Sequence, residues 1–176
     1  MYQKIAVITS LCFSSLFTLA VSAQDFYVEP VFATSELKLN SGNKFSYESV
    51  GLQLGWLTDS NYEYGMLLRT AINEDNAGGS EISMKTSITG YFGKNFPLSD
   101  YLDIYGQLGL TYSNLETKNS SSNSYTNSSV GLSYEAGVRY ELTSQTAVRL
   151  GYQVYTPGDD QFDTESSFKL GFQWRW

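Results

Sequence analysis

The sequence predicts an all-β chain folded as an eight-stranded antiparallel up-and-down transmembrane β-barrel, and three observations carry that reading. After residue 23 apolar and polar residues alternate along stretch after stretch, the period of two expected of strands with two unlike faces. No apolar run in that part of the chain approaches the length of a spanning helix, so a membrane protein of this profile has to cross with a closed sheet. The closing stretch Ser166–Trp176 sets Phe168, Leu170, Phe172, Trp174 and Trp176 against Lys169, Gly171, Gln173 and Arg175. A strand of about ten residues spans the hydrocarbon layer when tilted, and lipid is the simplest partner for its aromatic side.

The N-terminus reads as an export signal. Lys4 precedes an apolar run from Ile5 to Ala20, followed by Val21-Ser22-Ala23, a positive region, a hydrophobic region and a small-residue cleavage site. Met1–Ala23 is therefore expected to be a cleaved secretory signal and residues 24–176 the barrel, about 150 residues and enough for one domain. Cys12, the one cysteine, falls inside the signal, so the exported chain has no thiol for a disulfide, a metal site or nucleophilic catalysis. The chain also has no histidine, which removes the commonest general base and transition-metal ligand. Eighteen acidic residues against 11 basic ones, with no basic cluster, argue against a nucleic-acid partner.

Eight strands follow in order. The first, about Asp25–Leu39, carries Phe26, Val28 and Phe32 on one face; Pro30 lacks a ladder donor and predicts a bulge there. Ser41-Gly42-Asn43 signals a turn into the second strand, about Phe45–Leu57, with Val50, Leu52, Leu54 and Trp56 on one face. Thr58–Asn61 is a tight polar turn leading to the third strand, about Tyr62–Ile72. Asn73–Ser80 reads as an acidic loop, and the fourth strand runs over about Glu81–Gly93. The fifth covers about Leu102–Ser113. The Ser- and Asn-rich segment Asn114–Asn127 has too little apolar content to fold by itself and reads as the longest loop. Strands six and seven, about Ser129–Leu142 and Thr146–Thr156, are joined by a short turn, and Pro157–Thr164 is a second acidic loop before the closing strand. Short connections thus alternate with mostly longer ones, as in barrels with short periplasmic turns and long outer loops.

Glycine and charge orient the wall. Gly51, Gly55, Gly65, Gly109, Gly131, Gly137, Gly151 and Gly171 fall on the polar face, while Gly90 and Gly106 fall on the apolar one. An eight-stranded barrel has an interior just wide enough for side chains, so long ones must be offset by absent ones. A water-facing surface gives no such reason to mix glycine with Arg and Glu. Glu63, Arg69, Lys85, Asp103, Glu135, Arg139, Glu141, Arg149, Lys169 and Arg175 share the polar face and are the candidate interior ion network. Each basic one would cost about 2–4 kcal/mol on the lipid side near mid-bilayer. Tyr62, Tyr112, Tyr140, Trp56, Trp174 and Trp176 lie near strand ends on the apolar face and read as interfacial girdles.

Gly137-Val138-Arg139-Tyr140-Glu141-Leu142-Thr143, with Ala147-Val148-Arg149-Leu150-Gly151-Tyr152, resembles the late strands of small outer-membrane barrels of the OmpA-like and OmpX/Ail-like type. Phe172, Trp174 and Trp176 look like the aromatic C-terminal assembly signal of such barrels, although Phe is usual at the last position. The resemblance implies location in the cell outer membrane, handling by the barrel-assembly machinery, and contact with outer-membrane lipid and lipopolysaccharide. It also implies a monomer without catalytic activity. Unlike full-length OmpA relatives, no peptidoglycan-binding domain is expected after the eighth strand.

No catalytic residue, metal site or cofactor is expected. Asp159, Asp160, Asp163 and Glu165 crowd one outer loop, with Glu74, Asp75 and Glu81 near another. Such loops could hold Ca²⁺ or Mg²⁺, but no EF-hand spacing is present and solvated acidic loops account for them. The function expected is support of envelope integrity, or surface interaction through the outer loops, with the surface ligand left open. The alternatives are a narrow porin-like or hydrophobic-compound conduit and a soluble lipocalin-like lipid-binding barrel.

Overall fold

In a computed structural model, residues 25–40, 42–73, 75–77, 80–119, 124–158 and 162–176 are described; the expected signal, Met1–Ala23, lies outside them. Every element among the described residues is a strand: β1 (Asp25–Leu39), β2 (Lys44–Leu57), β3 (Tyr62–Ala71), β4 (Asp75–Ala77), β5 (Ser80–Pro97), β6 (Leu102–Asn119), β7 (Ser124–Glu141), β8 (Thr146–Pro157) and β9 (Phe162–Arg175). Consecutive strands pair antiparallel except β3 and β4, β1 also pairs with β9, and β3 with β5, which closes the sheet. β5 pairs with β3 as far as Arg69↔Ser87 and then with β4 from Asp75↔Ile82, so β3 and β4 together occupy one place in the wall. The result is a closed barrel of eight strand positions, which leaves no open sheet edge in the hydrocarbon.

Alternation sets the two faces. On β2 the order from Lys44 is strictly exposed, buried, exposed as far as Val50, and lumen residues such as Ser49 and Gln53 are sealed. Outside, Leu108 and Phe168 are 70% exposed and Leu132 67%. The soluble lipocalin-like alternative needs the reverse, an apolar cavity inside and a polar skin. On β6 the outward apolar band runs from Leu102 to Tyr112, about 34 Å of strand. At a tilt of about 45° this covers about 24 Å, close to the apolar height of outer-membrane barrels.

The periplasmic rim is tied by short turns and a belt of rings. Thr58 Oγ1 accepts from the Tyr62 amide at 3.1 Å, and Asn61 takes the left-handed conformation (φ 61°) that closes that turn. Trp174 stacks on Trp176 at 6.2 Å and Trp176 on Phe26 at 6.0 Å. Phe26 then meets Trp56 at 5.3 Å, and Trp56 stacks on Tyr64 at 5.8 Å. One aromatic row therefore crosses β9, β1, β2 and β3. It buries Tyr64 although that ring points outward.

Four sequence expectations change here. The bulge expected at Pro30 is absent: Val28↔Trp174 and Val31↔Gly171 keep one register across it, and Pro30 faces Leu52 in an unbroken β1–β2 ladder. The shift in β1 comes later, between Lys38 and Leu39. Asn114–Asn127 is also not a loop throughout, because β6 runs to Asn119 and β7 starts at Ser124, paired from Lys118↔Ser124 downward. Backbone pairing carries that hairpin beyond the lipid with little apolar content, helped by Ser128 Oγ donating to Asn114 Oδ1 at 2.7 Å. Likewise β5 continues past Gly93 to Pro97, and part of the Asn73–Ser80 loop is β4.

The facing predicts a position-specific cost. Leu108→Arg should lower folding stability in lipid vesicles by about 2–4 kcal/mol, read from urea titrations with heat-modifiable gel mobility, while Leu108→Val stays near wild type. Equal midpoints for the two variants would contradict the outward assignment.

Candidate functional site: the ion-filled lumen

The lumen is organised in layers, each supplied by inward residues of several strands. At the periplasmic mouth Arg139 Nη2 lies 2.8 Å from Asp103 Oδ2 and 2.5 Å from Glu141 Oε1, and Arg175 Nη2 reaches the same Glu141 oxygen at 3.0 Å. Glu141 is half-buried and marks the edge of the barrel.

The central layer turns on Arg149. Its Nη1 and Nη2 donate to Glu63 Oε2 and Oε1 at 3.1 Å each, a two-pronged bond from β8 to β3. The guanidinium lies 3.9 Å above the Tyr105 ring. Tyr105 donates to Glu135 Oε1 at 2.7 Å, and Lys169 Nζ donates to Glu135 Oε2 at 2.6 Å. Gln107 Nε2 donates to Glu63 at 2.6 Å, and the hydroxyls of Tyr27 and Tyr91 meet at 2.6 Å. Glycine makes room for these side chains. A Cβ at Gly55 or Gly65 would run into the Tyr91 hydroxyl, one at Gly137 or Gly151 into Tyr105, and one at Gly171 into the Glu29 carboxylate.

Above this layer Arg69 Nη2 donates to Glu165 Oε1 at 2.7 Å and Nη1 to Ser167 Oγ at 3.2 Å; Ser167 also meets Ser35 at 2.7 Å. Leu37, Phe45, Tyr47 and Leu115 then pack into an apolar cluster inside the outer end of the barrel. The void described within the lumen, lined by Gln53, Thr89, Gln107, Glu135, Gln153 and Lys169 among others, is about 10 Å³. That is space for about one water.

Of the predicted network, Glu63, Arg69, Asp103, Glu135, Arg139, Arg149, Lys169 and Arg175 are buried inside, and Glu141 sits at the mouth. Lys85 is a correction. The ladder slips between Met84 and Thr86, so Lys85 leaves the inward phase and its half-exposed side chain meets Glu116 at 2.7 Å on the outer lip. Glu165 is the opposite case: taken as a loop carboxylate, it is an inward residue of β9 under the apolar cluster. Its parity with Ser167 and Lys169 was the signal. Glu29 was missed although the shared face of Phe26, Val28 and Phe32 turns it by parity to the inside with Tyr27 and Val31. The apolar cluster was missed because Leu37, Phe45 and Leu115 stand in stretches whose polar residues dominate the pattern.

On the outer lip Lys38 meets Asp163 and Lys44 meets Glu36, each at 2.7 Å. The bond to Asp163 raises the Lys38 ammonium above its ordinary value. Such exposed pairs contribute little to stability. Asp159, Asp160 and Glu74 lie outside the described residues, as do the side chains of Asp75 and Glu81. Phe172, Trp174 and Trp176 all face outward on β9 or just beyond it, the two tryptophans within the periplasmic aromatic row.

A closed barrel with an apolar skin and an ionic interior is matched by the outer membrane protein β-barrel domain family over residues 7–175. The chain belongs to this family. Its place is the outer membrane, as the family's name states. Solved barrels have the same fold. Neisserial surface protein A superposes with a TM-score of 0.68 at 15% identity, covering 87% of this chain and 99% of that one. Ail of Yersinia pestis, solved with the heparin analogue sucrose octasulfate, gives 0.63 at 16% identity over 86% and 98%. Outer membrane protein H (OprH) of Pseudomonas aeruginosa gives 0.55 at 15% identity over 87% and 100%. No curated protein matches the chain in sequence.

The central layer should behave as one unit. Arg149→Met leaves Glu63 buried without its cation and is expected to cost about 3–5 kcal/mol. Adding Glu63→Gln to Arg149→Met should recover part of that loss in urea titrations of the refolded barrel. Strict additivity of the two substitutions would mean that they do not interact.

Proposed function

We propose that this outer-membrane barrel is a non-enzymatic, non-conducting protein that supports envelope integrity or surface interaction through its outer hairpins. The observation that carries the reading is the filled lumen. Ion pairs occupy it at three levels, an apolar cluster packs inside its outer end, and the central void has space for about one water. A conduit for ions or hydrophobic compounds needs a continuous bore, and separating buried pairs to create one is expensive. The length is invested outside the membrane. β6 continues seven residues beyond Tyr112, to Asn119, about 24 Å of strand, with outward Asn114 and Glu116 where lipid-facing residues have ended.

The partners proposed follow from that placement. Lipid contacts the apolar band and lipopolysaccharide the outer lip, where Lys38, Lys44 and Lys85 stand among carboxylates. The barrel-assembly machinery reads Phe172, Trp174 and Trp176. The chain acts as a monomer after removal of Met1–Ala23.

Planar-bilayer recording tests the reading. The purified barrel should give no steady conductance, and deletion of residues 114–128 should leave the closed barrel heat-modifiable while removing its surface phenotype. Steady openings in the wild type that change size in Arg139→Ala would overturn it in favour of a pore.

A further inference from the structure

The lumen charges balance layer by layer, except in one place. At the mouth Asp103 and Glu141 meet Arg139 and Arg175, and beneath the apolar cluster Glu165 meets Arg69. Between them three carboxylates, Glu29, Glu63 and Glu135, share two cations, Arg149 and Lys169. Glu63 takes the guanidinium with both oxygens at 3.1 Å and Glu135 holds Lys169 at 2.6 Å. Glu29 is left with one approach from Arg149 Nη1 at 3.5 Å, the outer limit of a hydrogen bond, although it is only 3% exposed.

The groups around it offer no further positive charge. Tyr27 stands on its own strand, Glu63 on β3, Tyr91 on β5, Tyr105 on β6, Glu135 on β7, Arg149 on β8 and Lys169 on β9, while β2 contributes the neutral Gln53. The phenols are uncharged near neutral pH. Among the described residues the layer therefore carries one negative charge in excess. A buried carboxylate without full compensation is strongly disfavoured.

A second observation falls at the same spot. The register of Val28↔Trp174 and Val31↔Gly171 sets Gln173 beside Glu29 on the neighbouring strand. Gln173 is fully buried, and neither its amide nitrogen nor its amide oxygen has a hydrogen-bond partner. A buried amide without a partner thus stands on the residue that faces Glu29 across the ladder, while the Glu29 carboxylate lies over Gly171 on the same strand.

We propose that Glu29 and Gln173 form a binding site for one additional monovalent cation. As a proton, it sits on the Glu29 carboxyl, whose O–H donates to the Gln173 amide oxygen. As an alkali-metal ion, it lies between those two oxygens. Either neutralises the layer. A divalent ion would over-compensate it by one charge.

The test uses the purified folded barrel in detergent micelles. Infrared difference spectra between wild type and Glu29→Gln show a protonated-carboxyl carbonyl band in the wild type if the ligand is a proton. If it is an alkali ion, that band is missing and the wild-type urea midpoint rises with K⁺ or Na⁺ but not with choline at equal ionic strength. The ion response is then lost in Glu29→Gln and in Gln173→Leu. In both cases Glu29→Gln keeps the wild-type urea midpoint or exceeds it, whereas Glu63→Gln lowers it. A wild type with neither band nor ion response, or a Glu29→Gln variant as destabilised as Glu63→Gln, overturns the proposal.

Discussion

The two-pronged bond from Arg149 to Glu63 spans the barrel from β8 to β3, and the interior is arranged to let it form. A guanidinium is always charged and here lies fully buried, so it requires both a counter-charge and a polarisable surface. Glu63 supplies the first and the Tyr105 ring the second. Tyr105 can hold that position because Gly137 and Gly151 on the next two strands have no side chain where it lies. Its hydroxyl then fixes Glu135, and Glu135 fixes Lys169. Each step answers a polar group buried by the one before, and this couples strands far apart in sequence. Breaking any single link strands a charge in a space with room for about one water.

The same requirement explains why the barrel keeps one facing. Sliding a strand by one residue would exchange its two faces. For β8 that would put Arg149 in hydrocarbon and Leu150 against Glu63. The lipid penalty and the loss of the ion pair act together, so register is specified from both sides of the wall. Glycine contributes by volume, not conformation, at these sites: Gly90 and Gly106, which face outward, have open space or a distant neighbour where a Cβ would stand. The left-handed conformation matters at Gly42 (φ 89°), where the outer β1–β2 turn closes.

Most of the wall was legible from a period of two, because in this fold each residue's environment is decided by parity and little else. Parity fails where the count is interrupted. At Lys85 a slip in the β5–β6 ladder moved one residue to the lip, and nothing in Met84-Lys85-Thr86 announces it. At Pro30 the sequence announces an interruption that does not occur, since an antiparallel ladder tolerates a missing donor at a position where β1 makes no ladder pair with β9. Side-chain pairing was not legible at all: which carboxylate Arg149 selects depends on reach across the lumen and on where glycine leaves space, neither of which is a property of one strand. The hairpin at 114–128 shows a third limit. Polar composition argues against an independent fold, but a strand already paired below the lip needs only backbone bonds to continue upward.

The structure is unequal along its axis, and the inequality has a direction. The periplasmic end is held by turns of a few residues and an unbroken aromatic row, the middle by charged groups that cannot leave without being exposed to lipid, and the outer end by an apolar cluster of side chains. Above that cluster the β5, β6 and β7 extensions are held by backbone ladders and by exposed pairs such as Lys85–Glu116, which are weak. Stability is therefore concentrated below the lip, and sequence change above it leaves the network beneath intact. A barrel built this way can vary its outer surface without re-specifying its fold, which is the physical condition that the proposed surface role requires.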